Sequence, residues 1–248
     1  MTSPVFIDEE LIEATPGSVI TLSGSEAKHA VSVMRMQSGE SIDIVNGRGL
    51  RVSGVVAVGS DPRELRVEVI ACVVEEIGLP SITVVQAIPK GDRAELAVSM
   101  LTEVGVERII PWESEHCVVQ WRGDRADKGV AKWRGTAREA AKQARRSIVP
   151  EVTNRVSTSE LIELVKAGVA EGCVVWVLDE TAEGRPHLDP KSTAVWLVVG
   201  PEGGLSSAER AALAECGAER VRFGRSVLRA STAGVVGVSV VNTLTRWQ

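Results

Sequence analysis

The stretch Val198-Val199-Gly200-Pro201-Glu202-Gly203-Gly204-Leu205-Ser206-Ser207-Ala208-Glu209-Arg210 constrains the fold of this chain more than any other. The apolar run over residues 194–199 reads as a buried strand, and residues 206–216 read as a helix. Ser206 and Glu209 have the S-x-x-E spacing of a capping box, which sets the helix start. Gly200, Gly203 and Gly204 therefore fill a strand-to-helix turn. Backbone there can approach a flat or anionic ligand closely, with the positive end of a helix dipole facing it. The same turn also serves as a plain βα connection with no ligand, so the rest of the chain decides between the two.

From residue 81 onward strands and helices alternate. The expected strands are 82–88, 108–112, 174–178, 195–199 and 221–223. The expected helices are 92–104, 128–146, 159–167 (capped by Ser159), 206–216 and 231–244. Such alternation indicates an α/β sheet with substantial parallel pairing. Residues 4–76 read instead as short strands at 18–22, 41–45, 51–58 and 64–74, with one helix at 25–36 and a hairpin signal at Asn46-Gly47. A small β-barrel is expected there, followed by a linker at 75–80 that contains Gly78 and Pro80. The expected domains are thus 1–76 and 79–248.

The formal net charge of −5 argues by itself against nucleic acid, but the charge is uneven. Residues 1–76 hold 6 Lys/Arg and 12 Asp/Glu, whereas residues 77–248 hold 22 and 21. Cys72, Cys117, Cys173 and Cys216 form no C-x-x-C pair, and His29, His116 and His187 are scattered, so neither a metal site nor a disulfide framework is expected. A reduced, cytoplasmic setting follows. The first residues lack the basic-then-apolar pattern of a secretory signal, and no apolar run reaches the roughly 20 residues that span a bilayer. No membrane association is expected.

Two further strand-end loops can share a pocket with the glycine turn. One is Leu178-Asp179-Glu180; the other runs from Arg225 to Gly234 and enters the last helix through Ser231 and Thr232. Ligands of open α/β sheets gather at the carboxyl ends of strands. The P-loop, dinucleotide and nucleophile-elbow patterns are all absent. A basic stretch from Arg122 to Arg146 holds nine Lys/Arg against three Asp/Glu, with Trp121 and Trp133 interleaved. Its cations fall mostly at three- or four-residue steps, as a phosphate-binding helix face requires, although charge runs are also ordinary solvated faces. Arg35, Lys90 and Arg93 extend the patch if the fold brings them near.

Gly200-Pro201-Glu202-Gly203-Gly204-Leu205-Ser206 followed by Leu228-Arg229-Ala230-Ser231-Thr232-Ala233 resembles the RsmE family, the bacterial small-subunit rRNA uridine N3-methyltransferases of the SPOUT class. The likeness spans almost the whole chain. His29 with Met34-Arg35-Met36 is similar to the family's H-x-L-R element, and Pro89-Lys90-Gly91-Asp92-Arg93 with Glu103-Val104-Gly105-Val106 to its K-G-[DE]-[RK] … E-L-G-V segment. Glu139, Gln143, Arg146 and Val149-Pro150 match its E-x-x-x-Q-x-x-R-x-x-V-P pattern. The chain departs from the family at Ser231, where Glu is frequent, and in its acidic N-terminal domain.

The resemblance implies an α/β fold: a C-terminal SPOUT-type trefoil-knotted methyltransferase domain with an N-terminal PUA-like β-barrel. It implies a homodimer that binds S-adenosylmethionine and acts on 16S rRNA, free or in the assembled small subunit. Cofactor contacts are then expected from Leu178, Asp179, Val199, Gly200, Pro201, Glu202, Gly203, Gly204, Val227, Leu228, Ser231, Thr232 and Ala233. RNA contacts are expected from Arg35, Lys90, Arg93, Arg138, Lys142, Arg145 and Arg146. Arg229 is the candidate catalytic group, since a cation near uracil O2 or O4 stabilises the charge that develops when N3 loses its proton. A role on phosphate or on the cofactor carboxylate is the alternative. Glu202 is either a base or a brace of the loop. Two other readings remain: a SPOUT ribose 2′-O-methyltransferase and a non-catalytic RNA-binding module.

Overall fold

The computed structural model describes residues 3–61, 63–121 and 123–247. Contacts divide the chain into two compact units, Met1–Ile77 with Ala141–Val149, and Gly78–Ala140 with Pro150–Gln248. The boundary near residue 77 lies inside the expected linker. The segment Ala141–Val149 does not follow the expected division, because it packs with the first unit. There the Ser147 hydroxyl donates to Glu75, and Gly47 and Arg48 bridge to Ile148.

The first unit is a five-stranded sheet: β1 (Val5–Ile7), β2 (Val19–Ser23), β3 (Ser41–Val45), β4 (Leu50–Val56) and β5 (Glu64–Val74), in the order β1-β3-β4-β5-β2. β1 runs parallel to β3, and the other pairs are antiparallel. Alternate residues of β4 and β5 turn inward, as a one-sided sheet requires, and Val52, Val56, Leu65 and Val67 join Phe6, Leu22, Ile42 and Ile44 in the core. The β3–β4 hairpin is fastened by Asn46, whose Oδ1 accepts the Arg48 and Leu50 N–H groups at 2.8 and 3.1 Å. The helix expected over 25–36 is shorter and broken. It consists of α1 (Gly24–Lys28), one π-helical turn (His29–Val33), and a left-handed stop at Arg35 with φ +57°. Ser25 is not its cap; Ser23 holds that position without a side-chain hydrogen bond.

The second unit carries β6 (Ser81–Ala87), α2 (Arg93–Glu103), β7 (Arg108–Glu113), α3 (Asp124–Gln143), β8 (Glu151–Val152), β9 (Val156–Ser157), α4 (Thr158–Ala170), β10 (Val174–Leu178), β11 (Ala194–Val199), α5 (Ser207–Glu215), β12 (Glu219–Val221) and α6 (Ala230–Leu244). The last residues of α3 belong to the first unit. Every strand pair is parallel, in the order β12-β10-β11-β6-β7-β8, with β9 also on β7. β6 and β11 are buried almost throughout, as strands covered on both faces must be. The cap of α4 is Ser157 rather than Ser159, with Ser157 and Glu160 closing a capping box.

The chain fills one side of β6 first, then crosses over, and β11 inserts between β10 and β6. The carboxyl ends of β12, β10 and β11 therefore stand side by side. α6 lies close against the sheet. A Cβ at Gly234 would meet the Leu101 side chain of α2 at 3.1 Å and one at Gly237 the Leu197 side chain of β11 at 3.1 Å, so a larger residue at either position would make those leucines shift.

Candidate active site

A cleft of about 240 Å³ opens where those strand ends meet. Its walls are the ends of β10 (Leu178, Asp179, Glu180) and β11 (Val199, Gly200, Pro201, Glu202, Gly204, Leu205), and the entry to α6 (Val227, Leu228, Arg229, Ala230, Ala233). Arg210, one turn into α5, completes the lining. A smaller recess of about 60 Å³ adjoins it under Phe223 and Ser226. All three loops singled out in the sequence thus meet at one place.

The glycine turn has the expected construction. Gly204 donates to the Pro201 carbonyl at 2.9 Å and holds φ +70°. Ser206 caps α5, and its capping box with Glu209 is complete. Glu209 does more than cap: its buried carboxylate also accepts from the Glu115 N–H at 2.9 Å, the Thr158 hydroxyl at 3.0 Å and the Ser114 hydroxyl at 3.2 Å. Burial pushes this carboxyl up, but the hydrogen bonds outweigh it and hold the acid below its ordinary range. His116 supports the turn from outside, its Nδ1 lying 3.0 Å from the Gly204 carbonyl.

Asp179 has its carboxylate committed within the protein. It receives the Thr181 N–H and hydroxyl at 2.8 and 2.7 Å, Arg210 Nε at 3.0 Å and Arg220 Nε at 2.9 Å. Burial raises this acid; the Thr181 hydrogen bonds and the two guanidinium groups more than reverse the shift. Asp179 lines the cleft and also ties α5 and β12 to the end of β10. Glu202 accepts the Lys90 N–H at 3.2 Å, which fits the bracing role of its two expected ones.

Of the expected cofactor residues, Gly203, Ser231 and Thr232 do not line the cleft. A Cβ at Gly203 would point at His116, 3.0 Å away. Ser231 is buried in the first turn of α6, and the Thr232 hydroxyl turns back to the Arg229 carbonyl at 3.2 Å. Glu180, Leu205, Arg210 and Ala230 are lining residues that were not among the expected contacts. Arg210 sits in the quoted stretch but carries no local pattern pointing to the cleft, and His116 reaches the turn from 88 residues away. The lining suits the expected cofactor. Leu178, Val199, Leu205 and Leu228 offer an apolar slot for a heteroaromatic ring, Glu180 and Glu202 offer acceptors for hydroxyl or ammonium groups, and Arg229 offers a partner for a carboxylate.

The expected RNA residues do not form one helix face. Arg122 lies outside the described residues. Trp121 and Trp133 are not available for stacking on bases, since they pack edge to face at 5.3 Å in the interior, with Gly129 fitted against Trp121. Lys142 is buried in the first unit, 3.1 Å from Glu26, and its ammonium lies 5.9 Å from the Phe6 ring centre. That ammonium is engaged by Glu26 and does not lie on an open helix face. Arg35, Lys90, Arg93 and Arg145 are exposed and Arg138 and Arg146 are half-buried.

The chain matches family models at both units. Residues 76–242 match an RNA methyltransferase domain, and residues 22–70 match an RNA methyltransferase PUA domain. The chain thus belongs with the RNA methyltransferases that carry a PUA domain. Among curated relatives, the ribosomal RNA small subunit methyltransferase E of Mycobacterium tuberculosis is 40% identical over 234 residues, covering 93% of this chain and 89% of the relative. The Bacillus subtilis protein of the same name is 27% identical over 249 residues, covering 95% and 93%. Among solved structures, the Neisseria gonorrhoeae methyltransferase E bound to S-adenosyl methionine superposes with a TM-score of 0.86 at 25% identity, covering 98% of each chain. The chain belongs to the ribosomal RNA small subunit methyltransferase E family.

Proposed function

We propose that this chain uses S-adenosylmethionine to methylate N3 of a uridine in small-subunit ribosomal RNA. One observation carries the reading: three strand-end loops converge on a single glycine-backed cleft with Arg229 at its edge, in a chain of this family. When bound, the cofactor supplies an electrophilic methyl group on a sulfonium. The protein's share is then placement and electrostatics. Leu178, Val199 and Leu228 exclude water from one side of the cleft, and the Gly200–Gly204 backbone sets its width. Arg229, exposed at the start of α6, stabilises the charge on uracil O2 and O4 as N3 gives up its proton to solvent water and takes the methyl group from the sulfonium, which leaves as the neutral thioether. The target base is unpaired or drawn from its stack, because N3 is hidden in a base pair.

The same reading includes a PUA-like barrel in the first unit, a trefoil knot through the cleft loops, and a homodimer working in the cytoplasm. The dimer has a physical ground in α6. Val236 and Val240 are half-buried and Leu244 is exposed, spaced four residues apart on one face that a second copy would cover. No described helix is long and apolar enough to cross a membrane.

The test is nucleoside mass spectrometry on rRNA from a deletion strain, before and after complementation. N3-methyluridine that disappears and returns supports the proposal. Loss of a ribose methyl instead would favour 2′-O transfer, and a chain that binds RNA without taking up the methyl donor would be a binding module.

A further inference from the structure

The largest cavity among those described lies in the first unit, not at the cleft. It measures about 690 Å³, within the range of about 300–1,000 Å³ usual for small-molecule sites. Phe6 forms part of its wall, with the His29 ring edge-on at 6.0 Å, and Met34 and Met36 offer polarisable surface beside them. Gln143, Ser41 and Glu40 bring hydrogen-bonding groups, Arg145 brings a cation, and Lys142, paired with Glu26 at 3.1 Å, brings a second.

Three backbone irregularities converge on this cavity. The π-helical turn His29–Val33 delivers His29 and Met34 to it, and such turns are frequent at functional sites. Among the described residues, only Arg35 and Arg145 are non-glycine residues with positive φ, at +57° and +56°. Arg35 stands between two lining residues, and Arg145 lines the cavity itself. Each ends a helical segment at the left-handed position that helices usually give to glycine. A conformation that side chains rarely adopt is held by one arginine in the lining and by another between two lining residues, which points to use of the guanidinium groups.

We propose that this cavity holds one unpaired nucleotide of the RNA substrate, its base against His29 and Met34 and its phosphate on Arg145 and Arg35. The subsite rests on the RNA-methyltransferase reading above and adds a second point of grip, on a different unit from the cleft. Flat apolar walls with amide and hydroxyl edges suit a nucleobase, and the two guanidinium groups suit the phosphate. The lining carboxylate, Glu40, accepts the Gln37 N–H at 3.0 Å.

Glycine is the informative substitution, because it keeps the backbone conformation and removes only the side chain. Binding of a small-subunit rRNA fragment to the full chain is measured by fluorescence anisotropy over a salt series, with cofactor binding and thermal midpoint recorded in parallel. Arg145→Gly should lower affinity several-fold and reduce the salt slope by about one, with midpoint and cofactor affinity unchanged. His29→Ala should lower affinity about tenfold. Because His29 touches the core, the exposed Met34→Glu repeats that arm by placing an anion in the cavity.

Wild-type methyl transfer together with wild-type RNA affinity in Arg145→Gly and Met34→Glu would overturn the subsite alone. A wild-type chain that takes up cofactor but transfers no methyl to any rRNA would sink the functional reading and the subsite with it. Competition by micromolar uridine monophosphate would overturn the subsite in favour of a free nucleotide.

Discussion

Two residues of the cleft separate shape from charge. Gly204 holds φ +70°, where a side chain costs about 1 kcal/mol. Gly204→Ala should therefore lose about that much stability and distort the turn, with cofactor affinity on calorimetry falling by more than the stability loss alone accounts for. Asp179→Asn leaves the Arg210 and Arg220 guanidinium groups without their shared anion, and should cost about 2–3 kcal/mol in urea unfolding. The pH dependence has a definite sign. Asp179 and Glu209 are both held below their ordinary values of 3.8 and 4.5. Their stabilisation is complete above those unfolded-state values and is lost as pH falls through the lower folded ones. Acid titration should show an unfolding midpoint that Asp179→Asn and Glu209→Gln each flatten. An unchanged acid limb in both variants would contradict this.

At the scale of elements, the α5 start was legible because a capping box is local: Ser206 and Glu209 lie three residues apart and need nothing else. The remaining partners of Glu209 come from Ser114, Glu115 and Thr158, which no local spacing reveals. Glu209→Ala should therefore cost about 3 kcal/mol rather than the roughly 1 kcal/mol of an ordinary cap, as read by thermal unfolding. The strands of the parallel sheet were legible from apolar runs, and β10 falls on the expected 174–178. The break in the helix over 25–36 was not, since a π turn shifts hydrogen bonds by one residue without changing composition. The aromatic interleaving of the basic stretch misled for a related reason. Trp121 and Trp133 are interleaved with the cations as stacking residues would be, but the two indoles meet edge to face and are buried.

For the whole molecule, the two-part organisation was legible in the change of periodicity near residue 77, while the return of Ala141–Val149 to the first unit was not. One of its ties there, beside Ser147 on Glu75, is Lys142 on Glu26, 116 residues away. Lys142→Ala should destabilise the first unit by about 3–5 kcal/mol, as removing one member of a buried pair does. Lys142 also lines the cavity proposed for the nucleotide, so a loss of RNA affinity in that variant is read against its thermal midpoint, and charge reversal at Arg93 and Arg138 tests the proposed RNA contacts more cleanly. Light scattering at micromolar concentration should give about twice the 26.4 kDa of one chain, and a stable active monomer would contradict the dimer. The interrupted first unit also bears on how such a chain is assembled and inherited. Its closing segment is made only after β6, α2, β7 and most of α3 have been added, so a nascent chain stopped at residue 77 lacks Lys142 for Glu26 and Ser147 for Glu75. Recombination at a single joint cannot hand this unit to another protein, because two crossings of the chain must be moved together.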